Sequence, residues 1–404
     1  MSAARAAATT PAITIPAAKV HAWRMQRQLL GRTKAGTPAE VARTLVGVQA
    51  QVTSSAALAI ALRSKPARGR QPAVEATAGA LRARQLVRSW AMRGTLHLFA
   101  ADDVPTIAAA LGGKDNWRRP AWLRWFGVTE PQMDELIDTI GDVLDDGRPR
   151  TRAELAQEIG GRLGPKVGKL LLGSWGSALK VASDRHYLCQ SAEDETGVRF
   201  VKASRWIEGW RDVDPHEALA TLVERYLAAY GPATLRELLR WWGVARVVVM
   251  KPVIARLGAA VTEIEVAGTR AYVRTADVED IQAARASKGA VHLVGGFDPF
   301  IVGAGLRDQL LPAAHLKRVS RTAGWISPVV LIDGIAAGVW DSRTVGDQLR
   351  ITIDLFAARD RAVTAAIEAA AERVAAAQGI VAHVGFGSVF TEKGSPLVIR
   401  PANA

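Results

Sequence analysis

Val48-Gln49-Ala50-Gln51-Val52 sets two carboxamides one residue apart in an otherwise apolar run. Each side chain carries two N–H donors and a carbonyl acceptor, and burying these is costly unless partners meet them. Water or a nucleobase would fit two such groups if both pointed the same way. Residues i and i+2 share a face on an extended segment but lie on nearly opposite sides of a helix. Gly47 can end a preceding helix and Thr53-Ser54-Ser55 can cap the next, so 48–52 reads as a short extended link. On residues alone a plainer account is the stronger: one glutamine caps a backbone group and the other faces solvent.

The elements around that link follow a recurring plan. Thr-x-x-Glu followed by an aliphatic residue occurs at Thr37/Glu40, Thr151/Glu154 and Thr234/Glu237, a capping box each time. At the third, apolar spacing predicts a helix over 217–230 stopped by Gly231-Pro232, then helices over 235–242 and 245–257. Two alternating strands, 261–266 and 269–273, turn at Ala267-Gly268. Helix, helix, helix, hairpin is a winged-helix plan. The second occurrence repeats it with helices over 132–144, 153–159 and 166–183 and strands over 187–190 and 198–201. The first has helices over 19–30, 38–47 and 54–63, with strands 86–90 and 95–99 around the tip 91–94. Farther on, strand-like runs at 291–294, 329–332, 335–340, 349–355 and 381–384 surround one Ala-rich helix over 357–377, and Asp333-Gly334 marks a hairpin. The expected architecture is α+β. A disordered leader (1–18) precedes winged-helix units over 19–115, 116–212 and 213–288, and a small β-rich, barrel-like domain over 289–404 follows.

The 404 residues suffice for several cores, and 49% hydrophobic with 23% charged residues is a soluble globular balance. Most of the twelve Trp are expected in those cores. A net charge of +13 and pI near 10.3 point to a polyanion, nucleic acid first and an anionic membrane surface second. A GC-rich genome would also favour Arg and Ala, which weakens that inference. Basic residues on the predicted wings and helices (Arg84, Arg88, Arg93, Arg240, Arg246, Lys251) suit phosphate contact or a solvated face. Cys189 is the only cysteine, so no intramolecular disulfide can form, and no run reaches the ~20 apolar residues of a membrane span. A cytoplasmic, nucleoid-associated protein is expected. The histidines lack zinc-ligand spacing, and neither a Gly-x-Gly-x-x-Gly nor a Walker A motif occurs, so no metal or cofactor is expected.

Behind the capped helix and Gln49-Ala50-Gln51 comes Arg88-Ser89-Trp90-Ala91-Met92-Arg93-Gly94-Thr95-Leu96-His97. With Tyr230-Gly231-Pro232-Ala233-Thr234, Phe297-Asp298-Pro299-Phe300, and Val329-Val330-Leu331-Ile332-Asp333-Gly334 before Gly338-x-Trp340, these strings resemble the winged-helix DNA glycosylases typified by AlkZ and YcaQ. The resemblance implies a basic, concave cradle for double-stranded DNA built by three winged helices and a C-terminal β-domain. It also implies that the Gln-X-Gln pair is catalytic. The YcaQ-like branch carries Gln-X-Asp, so the chain is similar to the AlkZ-like branch. The run after Phe297 departs mildly from the family's Tyr-Leu-Leu-Gly. On this basis Gln49 and Gln51 are the candidate catalytic residues. Arg88, Arg93, Thr95 and His97 are candidate DNA contacts, and Lys317, Arg318 and Arg321 could approach the opposite strand. Trp90, Met92 and Asp298, within the matched strings, are candidates for a lesion pocket. Plainer readings are a packed or capping His97 and a solvated loop at 316–321.

An N7-alkylguanine is cationic and its glycosidic bond already labile, with an oxocarbenium-like transition state. Two amide carbonyls that hold a water in line then supply positioning, without a strong base. No lysine lies beside the pair to form a Schiff base. The expected activity is therefore monofunctional excision of alkylated purines in base excision repair, with bulky adducts or interstrand crosslinks admitted by an open cradle. A monomer is expected. The alternatives are a catalytically silent winged-helix DNA binder or transcription regulator, and a protein-interaction scaffold.

Overall fold

The computed structural model describes residues 13–65, 72–112, 116–173, 177–192, 197–243 and 247–389. Of the expected leader, residues 1–12 lie outside this set. Residues 13–18 are ordered: Thr14 bridges Glu265, Ile15 is buried, and α1 (Ala17–Arg27) follows at once. Arg246 and residues 193–196 of the expected second wing also lie outside the described residues.

The first run of elements is α2 (Pro38–Thr44), β1 (Val48–Gln49), α3 (Thr53–Ala61), α4 (Glu75–Arg82), β2 (Leu86–Trp90) and β3 (Leu96–Ala100). Helix α4 was not expected: Glu-Ala-Thr-Ala-Gly-Ala-Leu-Arg has small residues where a helical stripe would show, and it buries only Thr77 and Ala80. After α5 (Val104–Leu111) and α6 (Pro120–Phe126), the second run is α7 (Glu130–Val143), β4 (Arg150–Thr151), α8 (Arg152–Leu163), α9 (Pro165–Gly173), α10 (Ser177–Asp184), β5 (Cys189–Gln190) and β6 (Arg199–Val201). The single helix expected over 166–183 is thus described as two. A turn of helix, α11 (Ala203–Trp206), leads to the third run: α12 (Pro215–Tyr230), α13 (Leu235–Trp242), α14 (Val247–Leu257), β7 (Val261–Val266), β8 (Thr269–Arg274) and α15 (Val278–Ala283). Thr37, Thr151 and Thr234 cap α2, α8 and α13 through reciprocal capping boxes, as their spacing predicts.

The same pairing recurs in all three runs. A short segment after the leading helix pairs with the second strand of the hairpin: β1 with β3, β4 with β6, and, through an isolated bridge, Ala233 with Tyr272 of β8. Arg88 pairs with Gln190, which fuses the first two runs into one six-stranded sheet of order β1-β3-β2-β5-β6-β4. Helix α1, expected to lead the first run, serves the third instead. Its Arg27 and the adjoining Gln28 donate to the carbonyls of Ala228 and Ala229 at 3.2 and 3.1 Å, and Arg24 donates to Gly231 at 3.3 Å.

The C-terminal part comprises β9 (Val291–Val294), the single turns α16 (Pro299–Val302), α17 (Arg307–Leu310) and α18 (Leu316–Val319), β10 (Val329–Ile332), β11 (Ile335–Val345), β12 (Gln348–Leu355), α19 (Arg361–Ala377) and β13 (Val381–Phe386). The sheet order is β13-β12-β11-β10-β9, antiparallel except where α19 carries the chain over to β13, which lies parallel to β12. Helix α19 buries Ile367, Ala371 and Val374 in a core shared with Val330, Ile351 and Ile353 of the sheet.

Candidate active site

Strand β1 is only two residues long, and its neighbours decide which way the glutamines face. Val48 and Ala50 are buried in one core with Leu45, Ala56, Ile60 and Leu98. On an extended backbone that sends residues 49 and 51 to the other side. The register agrees: Gln49 lies opposite His97, itself opposite Ser89, so the three form a row across β1, β3 and β2. Ala50 anchors the segment by donating its amide to the Leu96 carbonyl at 2.7 Å. Gly47, at φ +96, starts this extension, and a Cβ there would lie 2.3 Å from the Phe99 ring. Only glycine fits both demands.

The two amides differ in surroundings. Gln49 is 7% exposed, and its Oε1 accepts from Arg93 Nη2 at 2.9 Å. Gln51 is exposed, and its Oε1 accepts a long 3.4 Å bond from the Leu96 amide. Each carbonyl oxygen has a second lone pair. One carboxamide is thus pinned by a guanidinium at the edge of the core, and the other reaches solvent beside it. His97 is buried and stacks on Phe99 at 5.7 Å. Its Nδ1 lies 2.9 Å from the Thr95 carbonyl, which can only accept, so Nδ1 carries a proton.

The remaining expected residues are spread widely. Arg93 turns inward: besides Gln49, its Nη1 donates to the Trp241 carbonyl at 2.9 Å. Burial lowers its pKa to about 10, leaving it protonated at neutral pH. Thr95 donates to the Met92 carbonyl at 3.2 Å. Arg88 is buried, with Nη1 3.4 Å from Thr53 Oγ1. Trp90 stacks on Phe200 in the core of the second run, and Met92 is buried in the core shared with the third. Asp298 is fully buried and forms a two-pronged pair with Arg63, at 2.7 and 2.9 Å. In α18, Lys317 is exposed, whereas Arg318 pairs with Asp354 at 2.5 Å and lies over Phe356. Arg321 is half-buried, and its amide pairs with Trp325.

The model of the AlkZ-like DNA glycosylases matches residues 42–377. The chain belongs to that family. The match begins within α2, includes the glutamine pair, and ends with α19. A curated relative, the interstrand DNA cross-link repair glycosylase of Streptomyces sahachiroi, is 35% identical over 370 residues, covering 90% of this chain and 96% of that protein. The solved structure of Streptomyces sahachiroi DNA glycosylase AlkZ has 33% identity and a TM-score of 0.85, covering 93% of this chain and all of that one.

The AlkZ-like chain packs neighbours around the glutamine segment that the sequence did not reveal. Trp241, Gly243 and Arg63 gave no sign of contact with the glutamine segment or its scaffold. Trp241 is 148 residues from Arg93, and Arg63 is 235 from Asp298. The only local signal was the Trp-Gly stop of α13, which reads equally well as an ordinary helix end. Among the described residues, no group of three or more His, Cys, Asp or Glu could hold a metal ion, and no helix is long and apolar enough to cross a membrane.

Proposed function

We propose that this AlkZ-like DNA glycosylase hydrolyses the N-glycosidic bond of N7-alkylguanine-type purines in duplex DNA, with Gln49 and Gln51 holding the hydrolytic water. The observation that carries this reading is the placement of both carboxamides on the side of one extended segment opposite Val48 and Ala50, with no carboxylate among their hydrogen-bond partners in the described residues. Water adds to C1′ while the C1′–N9 bond breaks. The bonding pair goes to N9 and neutralises the cationic base, C1′ keeps the hydroxyl, and one proton passes to solvent. Because the leaving base needs no protonation, aligned acceptors suffice. The likeness to the interstrand DNA cross-link repair glycosylase of Streptomyces sahachiroi supports interstrand crosslinks as a further substrate, and an open site at a sheet edge accommodates a bulky adduct more readily than a closed base pocket.

The three helical runs are winged helices in this proposal, since each pairs a segment after its leading helix (a short strand in the first two, a single bridge in the third) with the far strand of its hairpin, and their limits follow the divisions expected from sequence. The C-terminal part is a partial barrel. Lys317, Thr95, His97 and Arg321 remain proposed DNA contacts, and Arg88 and Arg318 join them through partners that phosphate would have to displace. Trp90, Met92 and Asp298 are proposed to shape the lesion site from behind, through packing. The protein acts as a monomer without cofactor. The test is base release from a duplex carrying one N7-methylguanine. The wild type releases the base, and Gln49→Ala or Gln51→Ala slows release by about 10²-fold at equal DNA binding. Release by either variant at the wild-type rate sinks the assignment of the pair.

A further inference from the structure

We propose that Arg93 is a positioning residue, which fixes the Gln49 carboxamide and makes its orientation depend on the docking of the third helical run. The proposal rests on the reading of Gln49 and Gln51 as the water-holding pair. Arg93 bridges two acceptors with two different nitrogens: Nη2 to Gln49 Oε1 and Nη1 to the Trp241 carbonyl, both at 2.9 Å. The Trp241 carbonyl belongs to the last turn of α13, where carbonyls lack helical partners and a cation is favoured. The backbone contact is equally close. Arg93 sits at φ +57, and a Cβ on Gly243 would lie 2.7 Å from Arg93 N and Cα. The end of α13 therefore rests directly on the tip that carries Arg93.

The chemistry of the bridge determines the orientation of the amide. A guanidinium only donates, so Gln49 must turn its oxygen, not its NH2 group, toward Arg93. That sets Oε1 with one lone pair on Arg93 and the other available to water. Without the bridge, a glutamine with three side-chain torsions would regain rotamer freedom. An arginine serving phosphate would direct its terminal nitrogens outward. Here both hold acceptors inside the protein.

The test uses Arg93→Gly, since glycine adopts positive φ freely and leaves the backbone of the tip in place, together with Arg93→Lys. Single-turnover release from the N7-methylguanine duplex should fall about 10²-fold in Arg93→Gly. Duplex affinity and its salt dependence should not change. Lysine, a point charge that cannot bridge two acceptors with separate nitrogens, should recover little. In a Gln49→Ala background, Arg93→Gly should cost no further rate. A readout without substrate is the Gln49 side-chain NH2 resonance pair, assigned by its loss in Gln49→Ala, which should move to the free-glutamine position in Arg93→Gly. Weaker affinity with a salt slope reduced by about 0.9 identifies a phosphate contact and overturns the proposal. So does an unchanged rate, an unmoved resonance, or a full additional loss in the Gln49→Ala background. If Gln49→Ala alone leaves release unchanged, the reading of the pair has failed first, and the positioning role falls with it.

Discussion

Asp298→Asn isolates a charge on which the joint between the first run and the C-terminal part depends. Arg63 and Asp298 are both fully buried. Arg63 also donates to the Gln28 and Ala59 carbonyls at 2.9 and 3.0 Å, while Asp298 caps α16 at the Phe300 amide, 2.9 Å away. Asparagine keeps the shape and can keep the cap, but it leaves a buried guanidinium without a counter-charge. Breaking a buried pair in this way costs about 3–5 kcal/mol. The two carbonyl bonds that Arg63 retains place the expected loss near the lower end. With m of about 1–3 kcal/mol/M in urea, the unfolding midpoint should fall by about 1–3 M. An Arg63→Met/Asp298→Leu double variant should recover most of that loss, because a matched apolar pair removes both desolvation costs. The reasoning is refuted if Asp298→Asn unfolds at the wild-type urea concentration yet no longer releases base. Asp298 would then act on the lesion rather than hold the joint.

Two further perturbations test the scaffold. Gly47→Ala combines a left-handed backbone with a Cβ 2.3 Å from the Phe99 ring, so a loss of about 2–5 kcal/mol is expected; an unchanged melting temperature would show that β1 is not set by this contact. His21 and His292 have pKa values lowered to about 4, by burial first, with Arg24 acting on His21 and Arg373 on His292. An unfolded histidine titrates near 6.5, so the stability from keeping them neutral is complete above that pH and is lost as pH falls toward 4. The bound is about 3 kcal/mol per histidine. A His21→Gln/His292→Gln variant should lose less stability than wild type between pH 7 and 4.5, and parallel losses would refute the assignment.

Much of this fold was legible because strong local signals agreed with tertiary packing. The boxes at Thr37, Thr151 and Thr234 cap helices as their spacing implies, and the third hairpin and strand β10 fall on their predicted residues. Helix α4 escaped because alanines and a glycine gave it no periodic stripe. The role of α1 was hidden for a different reason. Its apolar spacing marks a helix correctly, but only the Arg24, Arg27 and Gln28 bonds to residues 228–231 show which run it serves. At the site, Gly47 and Thr53 mark an extended link that would let both amides share a face, but on residues alone the plainer account, one glutamine capping a backbone group and the other in solvent, is the stronger. They could not predict that Arg93, which reads in sequence as a phosphate-facing cation at a hairpin tip, would turn inward.

That difference bears on what the family's conspicuous strings do. Tyr230 opens one of them, and its hydroxyl donates to the Leu45 carbonyl at 2.6 Å, at the end of the helix that precedes β1. The same ring leaves no room for a side chain at Gly303, where a Cβ would lie 2.3 Å away. Asp298 holds Arg63 just beyond the helix that follows the glutamines. The string that carries Arg93 meets the end of α13. Each element flanking the Gln-X-Gln segment is thus gripped by a residue from another part of the chain: α2 by Tyr230, the end of α3 by Asp298, and Gln49 through Arg93 by Trp241. A two-residue strand cannot hold two flexible amides in register by its own hydrogen bonds. Under the proposed reading Tyr230, Asp298 and Arg93 of the family's strings mount the glutamines from outside, and Arg88, Thr95 and His97 of the same strings are left for DNA.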